Sequence, residues 1–92
     1  MKYNLNTYLY YVDPYIFTIY KVYICNHYEF EDGDYYIEKA GVYLHEYDLF
    51  DKLRDAKIDA LQKLRKFYVK KEKEIELTHE EGFNNENDFS DF

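Results

Sequence analysis

The sequence predicts an α+β fold: a tyrosine-rich antiparallel sheet of about four strands, packed on one face by one long amphipathic C-terminal helix and followed by an acidic tail. Three observations predict it. Twelve of the 13 tyrosines fall in residues 1–51, interspersed with β-branched residues, a composition suited to a half-buried pleated surface. Beyond Asp51 the apolar spacing changes to steps of three and four, the period of a helix. The length, 92 residues, provides one core and excludes a two-domain enzyme, a large barrel or a doubly wound dinucleotide fold. One domain is therefore assigned to residues 1–76, with the sheet in 3–45 and the helix in 49–75, leaving 77–92 as a flexible acidic tail.

The first strand is expected from Tyr3 to Val12, where Tyr3, Leu5, Thr7, Leu9 and Tyr11 alternate with Asn4, Asn6, Tyr8, Tyr10 and Val12. Asp13-Pro14 signals a turn, since proline fixes φ and drives its predecessor out of the helical region. Tyr15 to Cys25 is β-branched and aromatic on both faces, as in a central strand covered by the helix on one side and by rings or a partner on the other. Asn26-His27 marks a bend, and Tyr28 to Glu31 continues the extended pattern. Asp32-Gly33 is the strongest local signal, because a tight hairpin needs positive φ, which glycine adopts freely. Ala40-Gly41 then returns the chain into Val42 to His45, completing a meander.

For the helix, Leu53, Ala56, Ala60, Leu61, Leu64, Phe67 and Tyr68 define the apolar face, and Asp48 or Asp51 is the expected N-cap. Leu53, Ala60, Leu64 and Phe67 are expected to pack on Ile16, Ile19, Val22 and Ile24. A helix of this length spans roughly 37 Å, more than four strands cover, so the overhang is exposed or docks on a partner or a second copy in a homodimer.

The formal charge of −7 conceals a triblock. Residues 1–51 carry nine acids against three lysines, residues 52–73 carry nine Lys or Arg against three acids, and residues 74–92 carry seven acids with no Lys or Arg. The basic side chains Lys63, Arg65, Lys66, Lys70, Lys71 and Lys73 form the best nucleic-acid candidate, but they do not read as one stripe and acidic blocks flank them. Direct nucleic-acid binding is therefore disfavoured, because carboxylates repel the phosphate backbone.

No catalytic constellation emerges, and the chain reads as a non-enzyme. Cys25 lacks the glycine-rich loops that build an oxyanion pocket. His79-Glu80-Glu81 lacks a second histidine four residues on, where Phe83 stands. Cys25, His27 and His45 fall short of the firm spacing of a metal site, so no metal or cofactor is implied. A single cysteine forms no internal disulfide, and no apolar run is long enough for a membrane span. These features place the protein in the cytoplasm, without a membrane partner.

The tyrosines serve either as sheet filler or as a contact surface, since Tyr offers large, rigid area at low entropy cost. Among carboxylates, such a surface suits a basic groove on a protein partner, including one that normally holds nucleic acid. The candidate partner-binding residues are Tyr28, Glu29, Glu31, Asp32, Asp34, Tyr35, Tyr36 and Glu38, together with Asp88, Phe89, Asp91 and Phe92 of the tail.

Two resemblances bear on this reading. Asn87-Asp88-Phe89-Ser90-Asp91-Phe92 resembles the acidic tip of bacterial single-stranded-DNA-binding proteins, with Asp91 where a proline is usual. In that family the terminal Phe enters a hydrophobic pocket and its carboxylate meets a basic residue. Tyr15-Ile16-Phe17 leading into an aromatic strand, Asp34-Tyr35-Tyr36-Ile37, and Asp48-Leu49-Phe50 with Ala56 six residues later resemble small accessory proteins of phages and mobile elements of AT-rich bacteria. The second resemblance covers roughly residues 15–60 and implies a small sheet followed by a helix opening at Asp-Leu-Phe, with no active-site residue to carry over. It implies a phage-type protein in a bacterial host cell, such as an anti-CRISPR or other anti-defence inhibitor of a CRISPR effector or nuclease. The alternatives are a nucleic-acid-binding accessory protein using the basic helix, and a phage structural or assembly protein.

Overall fold

A computed structural model of the protein describes residues 1–78. The chain forms β1 (Thr7–Val12), β2 (Ile19–Phe30), β3 (Gly33–Glu38), β4 (Tyr43–His45), a single 3-10 turn (Glu46–Asp48), β5 (Leu49–Phe50) and α1 (Leu53–Glu76). The strands make one antiparallel sheet in the order β4-β3-β2-β1-β5, so the α+β architecture holds with one strand more than expected. The additional strand is Leu49–Phe50, assigned from sequence to the first turn of the helix. It returns along β1, with Tyr10 opposite Phe50 and Tyr11 opposite Leu49, which buries Leu49 fully.

That return corrects the helix start. The N-cap is Lys52, without a side-chain capping bond, and neither Asp48 nor Asp51 caps the helix. Asp48 instead accepts a 3.0 Å hydrogen bond from Lys63 Nζ, whose ammonium also lies 2.7 Å from Asp59. One half-buried cation thereby ties the segment before β5 to the second turn of α1.

The N-terminal strand begins at Thr7 and β2 at Ile19, both later than their patterns suggested. Tyr15 to Phe17 lie in a turn closed by Asp13, whose Oδ1 accepts from the Tyr15 and Ile16 amides at 2.8 and 3.2 Å. Phe17 adopts φ 63°, a region few bulky residues enter, and its ring meets Phe67 of α1 at 5.7 Å between centroids. At the β2–β3 hairpin Phe30 pairs with Gly33, so Glu31-Asp32 is the two-residue loop and Gly33 supplies the positive φ of 131° just after it. Gly33 also lies close under His45: a Cβ there would meet its Nε2 at 3.1 Å.

Each face of the sheet has its own core. On one, Leu9, Ile24, Tyr36, Leu44 and Leu49 are buried beneath Tyr3 and Leu5 of the N-terminal segment. On the other, Val12 is buried against Ala56 and Ala60, flanked by Tyr10, Ile19 and Phe50. The expected pairing of α1 with Val22 and Ile24 is therefore corrected, because both belong to the face turned away from the helix. Ile16 is exposed, and Leu53 is 40% accessible. The small side chains of Ala56 and Ala60 let α1 lie close to the sheet. Each fully buried large apolar side chain in these two cores contributes about 1.5–3 kcal/mol.

The helix contacts β1, β5 and β2 but leaves the β3–β4 end of its face uncovered. Its last turns pass beyond the sheet, leaving Tyr68, Val69, Ile75 and Leu77 exposed. No helix among the described residues is long and apolar enough to cross a membrane.

Candidate functional site

The uncovered end of the helix-bearing face is built by register. Tyr28 pairs with Tyr35 and Tyr35 with His45, while Ile37 pairs with Tyr43, so alternate residues of β2, β3 and β4 share that face. Phe30, two residues beyond Tyr28, joins them. The rings touch continuously: Tyr28–Phe30 at 5.6 Å, Phe30–Tyr35 at 5.2 Å, Phe30–Tyr43 at 5.9 Å and Tyr35–His45 at 4.7 Å between centroids. Tyr47 stacks on His45 at 4.2 Å and extends the surface past β4. Ordinarily such rings would sit beneath a covering element. Here Tyr28, Phe30, Tyr43 and Tyr47 are 45–76% accessible.

Polar groups fix the shape of this patch. The Tyr35 hydroxyl donates to Asp32 Oδ2 at 2.8 Å, which pins the ring to the hairpin. That hydrogen bond raises the Tyr35 pKa above the ordinary tyrosine value, because the carboxylate stabilises the protonated phenol. Phe30, Asp32, Tyr35 and Tyr43 line an open hollow of about 310 Å³. Glu31 is exposed in the hairpin loop between Phe30 and Asp32.

The residues expected from sequence thus divide. Tyr28, Tyr35 and Asp32 belong to the patch and Glu31 to its margin, whereas Glu29, paired with Asp34, is exposed on the opposite face. Tyr36 is fully buried and is excluded from any contact surface: its hydroxyl accepts from the Lys2 and Tyr3 amides at 2.8 and 2.9 Å and donates to Glu46 at 3.0 Å. Glu38 is occupied locally, its Oε1 accepting from the Ala40 amide at 2.8 Å. Asp34 is half-buried beside His27, across the sheet from the patch. Asp88, Phe89, Asp91 and Phe92 lie outside the described residues. Phe30, Tyr43, His45 and Tyr47 were missed. Phe30 was legible as the residue two after Tyr28, but the others needed the β3–β4 register.

The three metal-ligand candidates do not converge. A β-bulge between Ile24 and Asn26 leaves Cys25 without a partner in β3, and its side chain is exposed whereas His27 is half-buried. His27 lies against Tyr36 on the face away from α1, whereas His45 belongs to the aromatic patch. Donor atoms do converge at His27, Asp34 and Glu46, all within 4.8 Å of one another.

The basic helix is more ordered than its sequence suggested. Arg65, Lys66, Lys70 and Lys73 surround Val69 along a shallow concavity of about 460 Å³, so these four share one side of α1. Lys63 is engaged with Asp48 and Asp59, and Lys71 with Glu74 at 3.3 Å. A single element bounds this concavity, whereas three strands and the hairpin loop bound the aromatic one. The chain matches no protein-family model, no curated protein and no solved structure.

Proposed function

We propose that the protein is a non-enzymatic binding protein that blocks a basic, nucleic-acid-binding protein partner through the aromatic end of its sheet. The observation that carries this reading is the contiguous, uncovered set of rings Tyr28, Phe30, Tyr35, Tyr43 and Tyr47 beside the hairpin acids Glu31 and Asp32. Large rings held by their neighbours lose little freedom on binding, and they dominate interface energetics when desolvated. Carboxylates at the margin would meet cations that otherwise face phosphates and would speed association by electrostatic attraction. A phage-type anti-defence role, acting in a bacterial cytoplasm on an effector such as an anti-CRISPR target, is the biological form this reading takes.

The test pairs capture with substitution. A partner retained from bacterial lysate by the full chain should lose about tenfold or more in affinity for Phe30→Ala and for Tyr43→Ala. Its association rate should fall as salt rises. Unchanged affinity in both variants, or association indifferent to salt, sinks the proposal.

A second reading is supported by the placement of Arg65, Lys66, Lys70 and Lys73 around one hollow: a nucleic-acid accessory protein using α1. Its mark is retardation of DNA or RNA at low salt that disappears when these four become Glu. If the unmodified chain shifts neither nucleic acid, that reading is eliminated.

A further inference from the structure

On the face opposite the aromatic patch, the β-bulge in β2 turns His27 toward Tyr36 and Asp34. Its Nε2 is shielded from solvent and lies 3.3 Å from Asp34 Oδ1, without the alignment of a hydrogen bond. Glu46, from the 3-10 turn after β4, completes a set of one imidazole and two carboxylates whose donor atoms fall within 4.8 Å of one another. All three side chains are half-buried. In a tetrahedral shell with donors about 2.0–2.1 Å from the metal, neighbouring donors are about 3.3 Å apart. The His27–Asp34 separation already has that value, and a Glu46 carboxylate oxygen lies within 4.8 Å of both donors.

The surroundings supply what such a site requires beyond its ligands. Glu46 is oriented by the Tyr36 hydroxyl at 3.0 Å, and that hydroxyl is itself held by the Lys2 and Tyr3 amides. The His27 ring is braced on Tyr36 at 4.9 Å between centroids. Outer groups that fix ligand orientation in this way are characteristic of built metal sites. The three donors also come from three separate segments, β2, β3 and the turn after β4, at the end of the sheet that α1 does not cover.

We propose that His27, Asp34 and Glu46 bind one divalent cation of the zinc and manganese class, with water completing the shell. The ion pins the β2–β3 hairpin to the segment after β4 and stiffens the sheet behind the aromatic patch. One imidazole and two carboxylates suit these borderline-to-hard cations, and a 2+ ion neutralises the two carboxylates it bridges. The site stands independently of whether the patch binds a partner.

Calorimetric titration of zinc chloride into the chelator-treated full chain tests it. One ion per chain should bind, with affinity lowered at least about tenfold in His27→Gln, in Asp34→Asn and in Glu46→Gln. Cys25→Ser and His79→Asn should leave binding intact. X-ray absorption of the zinc-loaded, unmodified chain should show nitrogen and oxygen donors only, a readout that survives if a variant fails to fold. Lack of saturable binding by both zinc and manganese overturns the proposal. So does retained binding in the three ligand variants, or a sulfur donor in the absorption spectrum.

Discussion

Tyr36 shows how much one side chain can organise. Its ring is buried in the sheet core, yet its hydroxyl satisfies two backbone amides and a carboxylate, so the N-terminal segment is tied across that face and Glu46 is held in place. Burial raises its pKa above the ordinary tyrosine value, the amide donors oppose this, and Glu46 reinforces it. Tyr36→Phe keeps the ring and removes the hydroxyl, leaving polar groups without partners. Such a loss costs about 1–3 kcal/mol. Chemical denaturation should show that decrease, and amide hydrogen exchange at Lys2 and Tyr3 should quicken. Tyr35, one residue earlier, faces the opposite way and donates to Asp32 at the exposed hairpin. Adjacent tyrosines with indistinguishable sequence signals therefore divide between core and surface, because alternate residues of a strand point to opposite faces.

At the scale of elements, α1 is attached from its first turn to Phe67, and its last turns are free of the sheet. Ala56 and Ala60 meet Val12, and Phe67 reaches back to Phe17, which the turn holds in a left-handed conformation. The closeness of that contact depends on small side chains. Ala60→Leu should overpack the interface and lower stability by about 1–3 kcal/mol, read as a reduced urea midpoint. Ile75→Ala, on the overhang where the side chain is 69% exposed, should change stability by less than about 0.5 kcal/mol. Equal losses in the two variants would show that the overhang is covered in solution. The same asymmetry creates the candidate site, since a helix that ends its contact at β2 leaves the rings of β3 and β4 bare.

For the molecule as a whole, the titrating groups that couple to folding point one way. Burial raises the Tyr11 pKa, with Asp13 adding to the effect, and burial likewise raises that of Tyr36. Burial alone would lower Lys63, but its hydrogen bonds to Asp59 and Asp48 outweigh that and raise it. A folded-state pKa above the unfolded value contributes stability that is fully present below the unfolded pKa and is lost as pH rises through the folded one. For these phenols and this ammonium the unfolded values are about 10 and 10.4. Their contribution to thermal stability should accordingly be level from about pH 7 to 9 and decline above about pH 10. A midpoint that rises between pH 9 and 11 would contradict these assignments. The Lys63 pairs are partly solvated, so screening reduces their contribution.

What the sequence by itself determined is what local spacing encodes. The β-branched and aromatic runs, the turn chemistry around Gly33 and the three- and four-residue steps from Leu53 onward specify an antiparallel sheet followed by one helix, as observed. Tyr28, Asp32 and Tyr35 were legible as candidate surface for the same reason, lying at a hairpin that the sequence itself announces. Only the tertiary structure decided which rings share a face and where donor atoms meet. The bulge after Ile24 shifts every later residue of β2 by one position against β3, and in a period-two element a one-residue shift exchanges the faces. That shift sets His27 beside Asp34 and leaves Tyr28 with Phe30 and Tyr43. Likewise, Leu49 and Phe50 carry no strand signal apart from their partners, because two residues form a strand only when β1 offers them an edge. Periodicity is a property of neighbours along the chain. Register and closure depend on the free energy of the assembled sheet, which favours the arrangement that buries Leu49 and Tyr36 together.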